Sequence, residues 1–148
     1  MYKLAIVTDS TTYLPDEIIE ELQINVVPII VIWGEETFLD GVNLMPADFY
    51  TRLSSAKEMP STSQPSPADF QDMYQSLLDV GCEILSIHIS NKLSGTLASA
   101  IQAKENLPGQ PIELVDAMSA SMGTGWAVLE AARLAKQGAS LAECKKAA

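Results

Sequence analysis

The strongest constraint on the fold is the alternation of short apolar runs with helical segments. Residues 4–7, 83–90 and 112–115 are rich in branched apolar side chains and lead into polar residues, which is typical of buried parallel strands. Helical segments begin at Pro15 and Pro67, where proline is followed by acidic residues. Because such alternation builds parallel sheets, we expect an α/β fold: a mostly parallel sheet with helices on both faces.

Two segments are less regular. Residues 25–32 are rich in branched side chains and predict one strand, and Pro28 should place it at a sheet edge or a bulge. Residues 59–67 are dense in Ser, Thr and Pro and predict a loop. Further helices are predicted over residues 94–107 and 121–136.

Bulk properties exclude several classes of protein. The chain has 148 residues, 47% of them hydrophobic, which suffices for one domain with a sizeable core. Its net charge of -10 argues against nucleic acid or an anionic membrane as a partner. The N-terminal apolar run is too short for a signal peptide, and no stretch approaches the roughly 18 apolar residues of a membrane span. We therefore expect a cytoplasmic protein with no transmembrane segment.

Metal and redox chemistry find little support in the residues. The chain has a single His and no Cys-x-x-Cys spacing, so we expect no metal and no cofactor. Cys82 and Cys144 are expected to be reduced and not joined by a disulfide.

The end of the chain suggests a boundary. Residues 140–143 form a capping box for a new helix, and the sequence stops within about two turns of it. One interpretation is that residues 1–148 are one domain cut from a longer protein; the other is a frayed natural C-terminus. Neither an internal repeat nor an interdomain linker is visible.

A binding site is predicted where the strands end. Ligands of open α/β sheets bind beyond the carboxyl ends of the strands. Residues 8–12, 90–96 and 116–125 should meet there, and the hydroxyl-rich residues 61–66 could fold over the same edge. Within them, residues 94–96 (Ser-Gly-Thr) open a helix, whose free N–H groups suit an anion. The alternative is that Ser94 only caps its own helix.

The absence of basic side chains from part of the chain indicates which kind of anion is bound. No Lys or Arg occurs between Met59 and Asn91, whereas a phosphate usually recruits basic side chains or a metal. Hydroxyls and backbone donors can satisfy one carboxylate, so a carboxylic acid is favoured. An enzyme acting on a phosphorylated or nucleotide substrate at the same loops, and a structural domain with no ligand, remain as alternatives.

Other residues admit two interpretations. His88 is interpreted as a hydrogen-bonded interior side chain rather than a ligand contact, and Asp9 as a loop carboxylate that accepts from backbone N–H groups. Residues 123–125 (Gly-Thr-Gly) resemble part of a dinucleotide loop without its full spacing. Components of a Ser-His-Asp triad exist, but no Gly-x-Ser-x-Gly elbow does. A group of apolar residues is either core or an acyl channel: Met118, Met122, Trp126, Val128 and Leu129.

Taken together, the motifs resemble the DegV family. They are IVTDS at residues 6–10, DGV at 40–42, PSTSQPS at 60–66, IHIS at 87–90, LSGT at 93–96 and VD at 115–116. They occur in the order of the family and cover essentially the whole chain. The resemblance implies the N-terminal α/β lipid-binding domain of a two-domain protein, in agreement with the unfinished helix at Ser140.

The resemblance also implies a function. A long-chain fatty acid would be bound, its carboxylate held by Thr62 and Ser94, and a kinase subunit would be the partner that phosphorylates it to an acyl phosphate. The chain itself would not be an enzyme. The basic and His residues of the family's C-terminal domain have no counterpart here. Other loop residues would support the carboxylate site: Asp9, Ser10, Ser63, Gly95 and Thr96.

Overall fold

A computed structural model describes residues 3–148, so the first two residues of the predicted domain lie outside the described part. The strands are β1 (Leu4–Asp9), β2 (Asn25–Val27), β3 (Ile30–Trp33), β4 (Glu36–Leu39), β5 (Ser61–Ser63), β6 (Glu83–His88) and β7 (Ile112–Asp116). The helices are α1 (Asp16–Leu22), α2 (Pro46–Leu53), α3 (Pro67–Asp79), α4 (Thr96–Glu105), α5 (Met122–Lys136) and α6 (Leu141–Ala147). Among residues 3–148, none of the helices combines the length and apolar character needed to cross a membrane.

The main sheet is parallel, as predicted. Its strand order is β2-β1-β6-β7, and all three pairings are parallel. The chain moves from β1 outward to β2 on one side and later returns to β6 on the other side. The strand order therefore reverses between β1 and β6, and in open α/β sheets the ligand crevice lies at the carboxyl ends of such a strand pair.

Helices cover both faces of this sheet, which confirms the predicted α/β architecture. On one face, Leu85 and Ile87 of β6 belong to an apolar layer shared with α1, α5 and α6. On the other face, Ile84 packs in a second layer with Phe70 and Tyr74 of α3 and with α4. The alternation along β6 thus sends Ser86 and His88 toward α3, where both are fully buried.

The prediction of a single strand over residues 25–32 is wrong. The segment divides at Pro28 into β2, in the main sheet, and β3, in a separate antiparallel sheet of order β4-β3-β5. Proline has no N–H to donate to a strand ladder, so the pairing is interrupted there. The next N–H, on Ile29, donates to Ser10 Oγ at 3.1 Å and ties the division point to the end of β1.

The prediction of a loop over residues 59–67 is also partly wrong. Residues Ser61–Ser63 form β5, which pairs with β3 so that Thr62 lies opposite Val31. The β3–β4 hairpin leaves the other edge of β3 with backbone groups that need partners, and the polar segment supplies them. Tertiary pairing therefore outweighs the low strand propensity of this stretch.

The remaining local predictions are confirmed with small shifts. Ser66 and Asp69 form a capping box at the start of α3, and Ser140 and Glu143 form another at α6. The helix predicted from Ser94 starts two residues later, at Thr96. Cys82 and Cys144 are both buried thiols.

Candidate functional site

The loops that follow β6 and β7 are joined by backbone hydrogen bonds. The Ser90 N–H donates to the Ser119 carbonyl at 2.9 Å, and the Ala117 N–H donates to the His88 carbonyl at 3.0 Å. Asp116 accepts from the Asn91 N–H at 3.4 Å. These contacts form one surface at the carboxyl edge of the sheet, where the sequence predicted convergence.

The loop after β1 joins the same edge. Residues Ser10–Thr12 form a 3-10 turn, and the Thr11 N–H donates to Asp9 Oδ1 at 3.1 Å. The first turn of α5 packs closely on this loop, because a Cβ added to Gly125 would lie 3.3 Å from the Thr12 carbonyl oxygen. All three predicted loops therefore converge.

The Ser94 hydroxyl takes part in its own helix start. Its Oγ accepts from the Thr96 N–H at 3.2 Å and lies 2.9 Å from Thr96 Oγ1. The Ser94 N–H donates to the Ser90 carbonyl at 3.1 Å, which closes a turn after β6. Ser94 is half-buried and Thr96 is buried, and Gly95 provides no side-chain cap. Ser94 thus bonds to the first residue of its own helix, although Gly95 and not Ser94 occupies the N-cap position.

The hydroxyl-rich segment after β5 lies against this helix start. A Cβ added to Gly95 would lie 3.0 Å from Gln64 Cδ and 3.1 Å from Gln64 Nε2. Gln64 directly follows β5, in which Thr62 is exposed and Ser63 is half-buried. The structure therefore brings residues 61–66 and 94–96 together at Gln64 and Gly95, and a side chain at position 95 would require the end of the Gln64 side chain to move by a few tenths of an ångström.

A buried hydrogen-bond network lies directly beneath this edge. Asp9 Oδ2 is 2.9 Å from His88 Nδ1, and His88 Nε2 is 2.7 Å from Ser86 Oγ. The Tyr74 hydroxyl donates to Ser86 Oγ at 2.8 Å. All four residues are fully buried. The interior hydrogen-bonded role predicted for His88 is confirmed.

Asp9 is ionised despite its burial. Burial raises the pKa of its carboxyl, but hydrogen bonds from His88, the attraction of His88 and hydrogen bonds from Thr11 and the Ile89 N–H outweigh this effect. The net pKa lies below the usual value of 3.8. Asp9 therefore accepts from backbone N–H groups, as predicted, and it does so in two different loops.

The order Asp9–His88–Ser86 matches that of a hydrolase triad, but its surroundings differ. A nucleophilic Ser must reach its substrate, whereas Ser86 is fully buried under α3. Its Oγ is also held by the Tyr74 hydroxyl. In this structure the arrangement links the strands to α3 rather than exposing a nucleophile.

The apolar residues interpreted as either core or acyl channel divide between buried and exposed positions. Val128 and Leu129 are buried in the first apolar layer, with Met122 packed against it. Met118 is 83% exposed and Trp126 is 61% exposed. A separate cleft of about 370 Å³ opens beside Ser10, lined largely by apolar residues of α1, β2 and the loop before α2. Among residues 3–148, no group of three or more His, Cys, Asp or Glu side chains could hold a metal.

Sequence reasoning missed two contributors to the site, Tyr74 and Gln64. Tyr74 lies on α3 and reaches Ser86 only because α3 docks on that face, which no local pattern reveals. Ser86 shares the strand face of His88, and this spacing was a usable signal. Gln64 carried no signal, because its contact with Gly95 depends on the pairing of β5 with β3.

A model of the DegV family, described as uncharacterised proteins, matches residues 3–148. A DegV domain-containing protein of Clostridium perfringens is 38% identical over 146 residues, which are 99% of this chain and 52% of the relative. The chain spans about half the length of the curated relatives it matches.

Solved structures of similar fold include two described as fatty acid binding. A DegV family protein from Thermus thermophilus is 37% identical with a TM-score of 0.87, over 99% of this chain and 53% of its own. The DegV protein of Bacillus subtilis is 33% identical with a TM-score of 0.88, over 99% of this chain and 52% of its own.

Proposed function

Because the chain belongs to the DegV family, we propose that it binds a long-chain fatty acid and holds the carboxylate with the hydroxyls of Thr62 and Ser94. The observation that carries this proposal is the contact of Gln64 with Gly95, which brings the two hydroxyl-bearing segments together. The fatty-acid-binding descriptions of similar solved structures support the choice of ligand.

The spacing of residues supports a role for Thr62. Residues two apart on extended backbone point to the same side. Thr62 precedes Gln64 by two residues, and the Gln64 side chain faces Gly95. This spacing supports a position for the Thr62 side chain, which is exposed, on the side of the strand proposed for the head group.

Electrostatics favour a single carboxylate over a phosphate. The first turn of α4 presents backbone N–H groups with a partial positive charge, and the Ser94 hydroxyl, which accepts from the Thr96 N–H, lies beside them. No Lys or Arg occurs in residues 59–91 to balance a more highly charged group. Asp9 is ionised nearby, but its oxygens already accept from His88, Thr11 and Ile89. The supporting residues Ser10, Ser63 and Thr96 would complete the polar surroundings.

The acyl tail would supply most of the affinity. Each buried CH₂ contributes about 0.8 kcal/mol, so a long tail gains roughly 10 kcal/mol before the costs of ordering and association. Leu93 and Met118, in the loops after β6 and β7, and Trp126 on α5 are 61–83% exposed. They support an apolar wall for the tail.

We further propose that the chain acts as a cytoplasmic carrier and not as an enzyme. The ATP-dependent step would belong to a separate fatty-acid kinase subunit, to which the carboxylate is presented for acyl-phosphate formation. The exposure of Thr62 at the head-group position supports such access.

The test compares ligands that differ only in the head group. The purified chain is titrated with stearate and with methyl stearate by calorimetry, and with inorganic phosphate and with ATP plus magnesium as further ligands. We expect stearate to bind at least about tenfold more tightly than the ester, a difference of about 1.4 kcal/mol. Equal affinity for acid and ester, or binding of phosphate or nucleotide alone, would contradict the proposal.

A further inference from the structure

We infer that Asp9, oriented by His88, is a positioning residue that fixes the turn carrying Ser94 for carboxylate binding; this inference rests on the proposed function. Asp9 lies beneath the loops rather than among the exposed hydroxyls, so it acts on the ligand through the backbone.

Two hydrogen bonds and the peptide link between Ile89 and Ser90 join Asp9 to Ser94. Asp9 Oδ2 accepts from the Ile89 N–H at 3.2 Å, which holds the backbone where β6 ends. The next residue, Ser90, accepts from the Ser94 N–H through its carbonyl at 3.1 Å. Two short steps therefore separate the buried carboxylate from the residue proposed to hold the ligand.

The two oxygens of Asp9 serve different loops. Oδ1 accepts from the Thr11 N–H at 3.1 Å in the loop after β1, and from the Thr11 hydroxyl. Oδ2 accepts from Ile89 in the loop after β6 and contacts His88. One carboxylate thus spans the strand pair at which the order of the main sheet reverses. An amide at this position has only one oxygen, so one of the two loops would lose its acceptor.

The contact with Asp9 requires a proton on His88 Nδ1, because an ionised carboxylate only accepts hydrogen bonds. The Tyr74 hydroxyl donates to Ser86 Oγ, which leaves the Ser86 hydroxyl free to donate to His88 Nε2. His88 then carries its proton on Nδ1 and donates it to Asp9. This order of donors holds the Asp9 carboxylate in one orientation, since the other ring tautomer would place a lone pair against it.

The first experiment measures the preference for acid over ester. Binding of stearate and methyl stearate is compared for the wild-type chain, for Asp9→Asn and for Ile84→Val, a destabilising change on the same face of β6 that lies outside the network. We expect Asp9→Asn to reduce the preference by about tenfold, equivalent to about 1.4 kcal/mol, and Ile84→Val to leave it unchanged. A purely structural role predicts the same preference in both variants, and that result would overturn the inference. A wild-type chain without preference would instead refute the proposed function.

A pair of His88 variants and one spectrum keep the inference testable if Asp9→Asn does not fold. The Asn amide can replace the Nδ1 donor, and the longer Gln amide can replace Nε2. We expect His88→Asn to retain the preference for acid and His88→Gln to lose it; the reverse order would overturn the inference.

Nitrogen-15 NMR of the imidazole needs no assignment, because the chain contains one His. We expect the Nδ1-protonated tautomer. Detection of the Nε2-protonated form would contradict the inference, and this measurement requires no ligand.

Discussion

Asp9 and His88 are 79 positions apart in sequence, yet their side chains meet at 2.9 Å inside the fold. Asp9 ends β1 and His88 ends β6, and both are fully buried. The contact joins the two strands at the point where the proposed ligand site lies, so stability and binding should both depend on it.

The contribution of Asp9 to stability should depend on pH. Its pKa is lower in the folded chain than the usual 3.8, so the folded state binds fewer protons in acid. The stabilisation is complete above the unfolded pKa and is lost as the pH falls through the folded pKa. We expect the free energy of unfolding, measured with urea, to fall more steeply for wild type than for Asp9→Asn between about pH 5 and 3. Parallel curves for the two chains would show that Asp9 is not the responsible group.

The position of each hydroxyl in the buried network should set the cost of removing it. Tyr74→Phe removes a donor at the end and should cost about 0.5–1.5 kcal/mol. Ser86→Ala leaves both the Tyr74 hydroxyl and His88 Nε2 without this partner and should cost about 1–3 kcal/mol. Urea unfolding would measure both values, with the exposed Tyr50→Phe as a control expected to change little. A larger cost for Tyr74→Phe than for Ser86→Ala would argue against the network as described.

Removing either proposed head-group donor should weaken binding of the free acid. We expect Thr62→Ala and Ser94→Ala each to cost about 1–3 kcal/mol in stearate binding, because a donor to a charged group is lost. Methyl stearate affinity should change much less. Thr51→Ala and Ser76→Ala are matched controls, since these hydroxyls are exposed and bond within their own helices. Calorimetry in which the controls and the site variants behave alike would refute the assignment.

The contact of Gln64 with Gly95 can be tested by adding a side chain at position 95 and then shortening the side chain at position 64. The Cβ in Gly95→Ala would meet the Gln64 side chain at 3.0 Å, so the end of that side chain must shift by a few tenths of an ångström. We expect weaker stearate binding, with stability changed by less than about 1 kcal/mol, because Gly95 does not have a left-handed backbone. Adding Gln64→Ala should restore binding. If Gly95→Ala binds stearate as the wild type does, the two segments do not cooperate in the site.

Much of the fold was predictable from local patterns. The apolar runs of β1, β6 and β7 and the proline-led helix starts gave a parallel sheet with helices on both faces, because strand and helix periods are written in neighbouring residues. The alternation along β6 also placed Ser86 and His88 on one face. The predictions that failed concern segments where pairing with residues distant in sequence outweighed the local pattern. Pro28 divides one predicted strand between two sheets, and β5 forms only because β3 offers an unpaired edge.

The candidate site divides in the same way. The sequence by itself determined which residue types were available: hydroxyls at Thr62 and Ser94, a glycine between Ser94 and Thr96, and no Lys or Arg in residues 59–91. Only the tertiary structure decided that Gln64 packs on Gly95 and that Asp9 meets His88. Contacts between residues far apart in sequence depend on how whole elements dock, and the energies of docking come from buried surfaces that no short stretch of sequence contains.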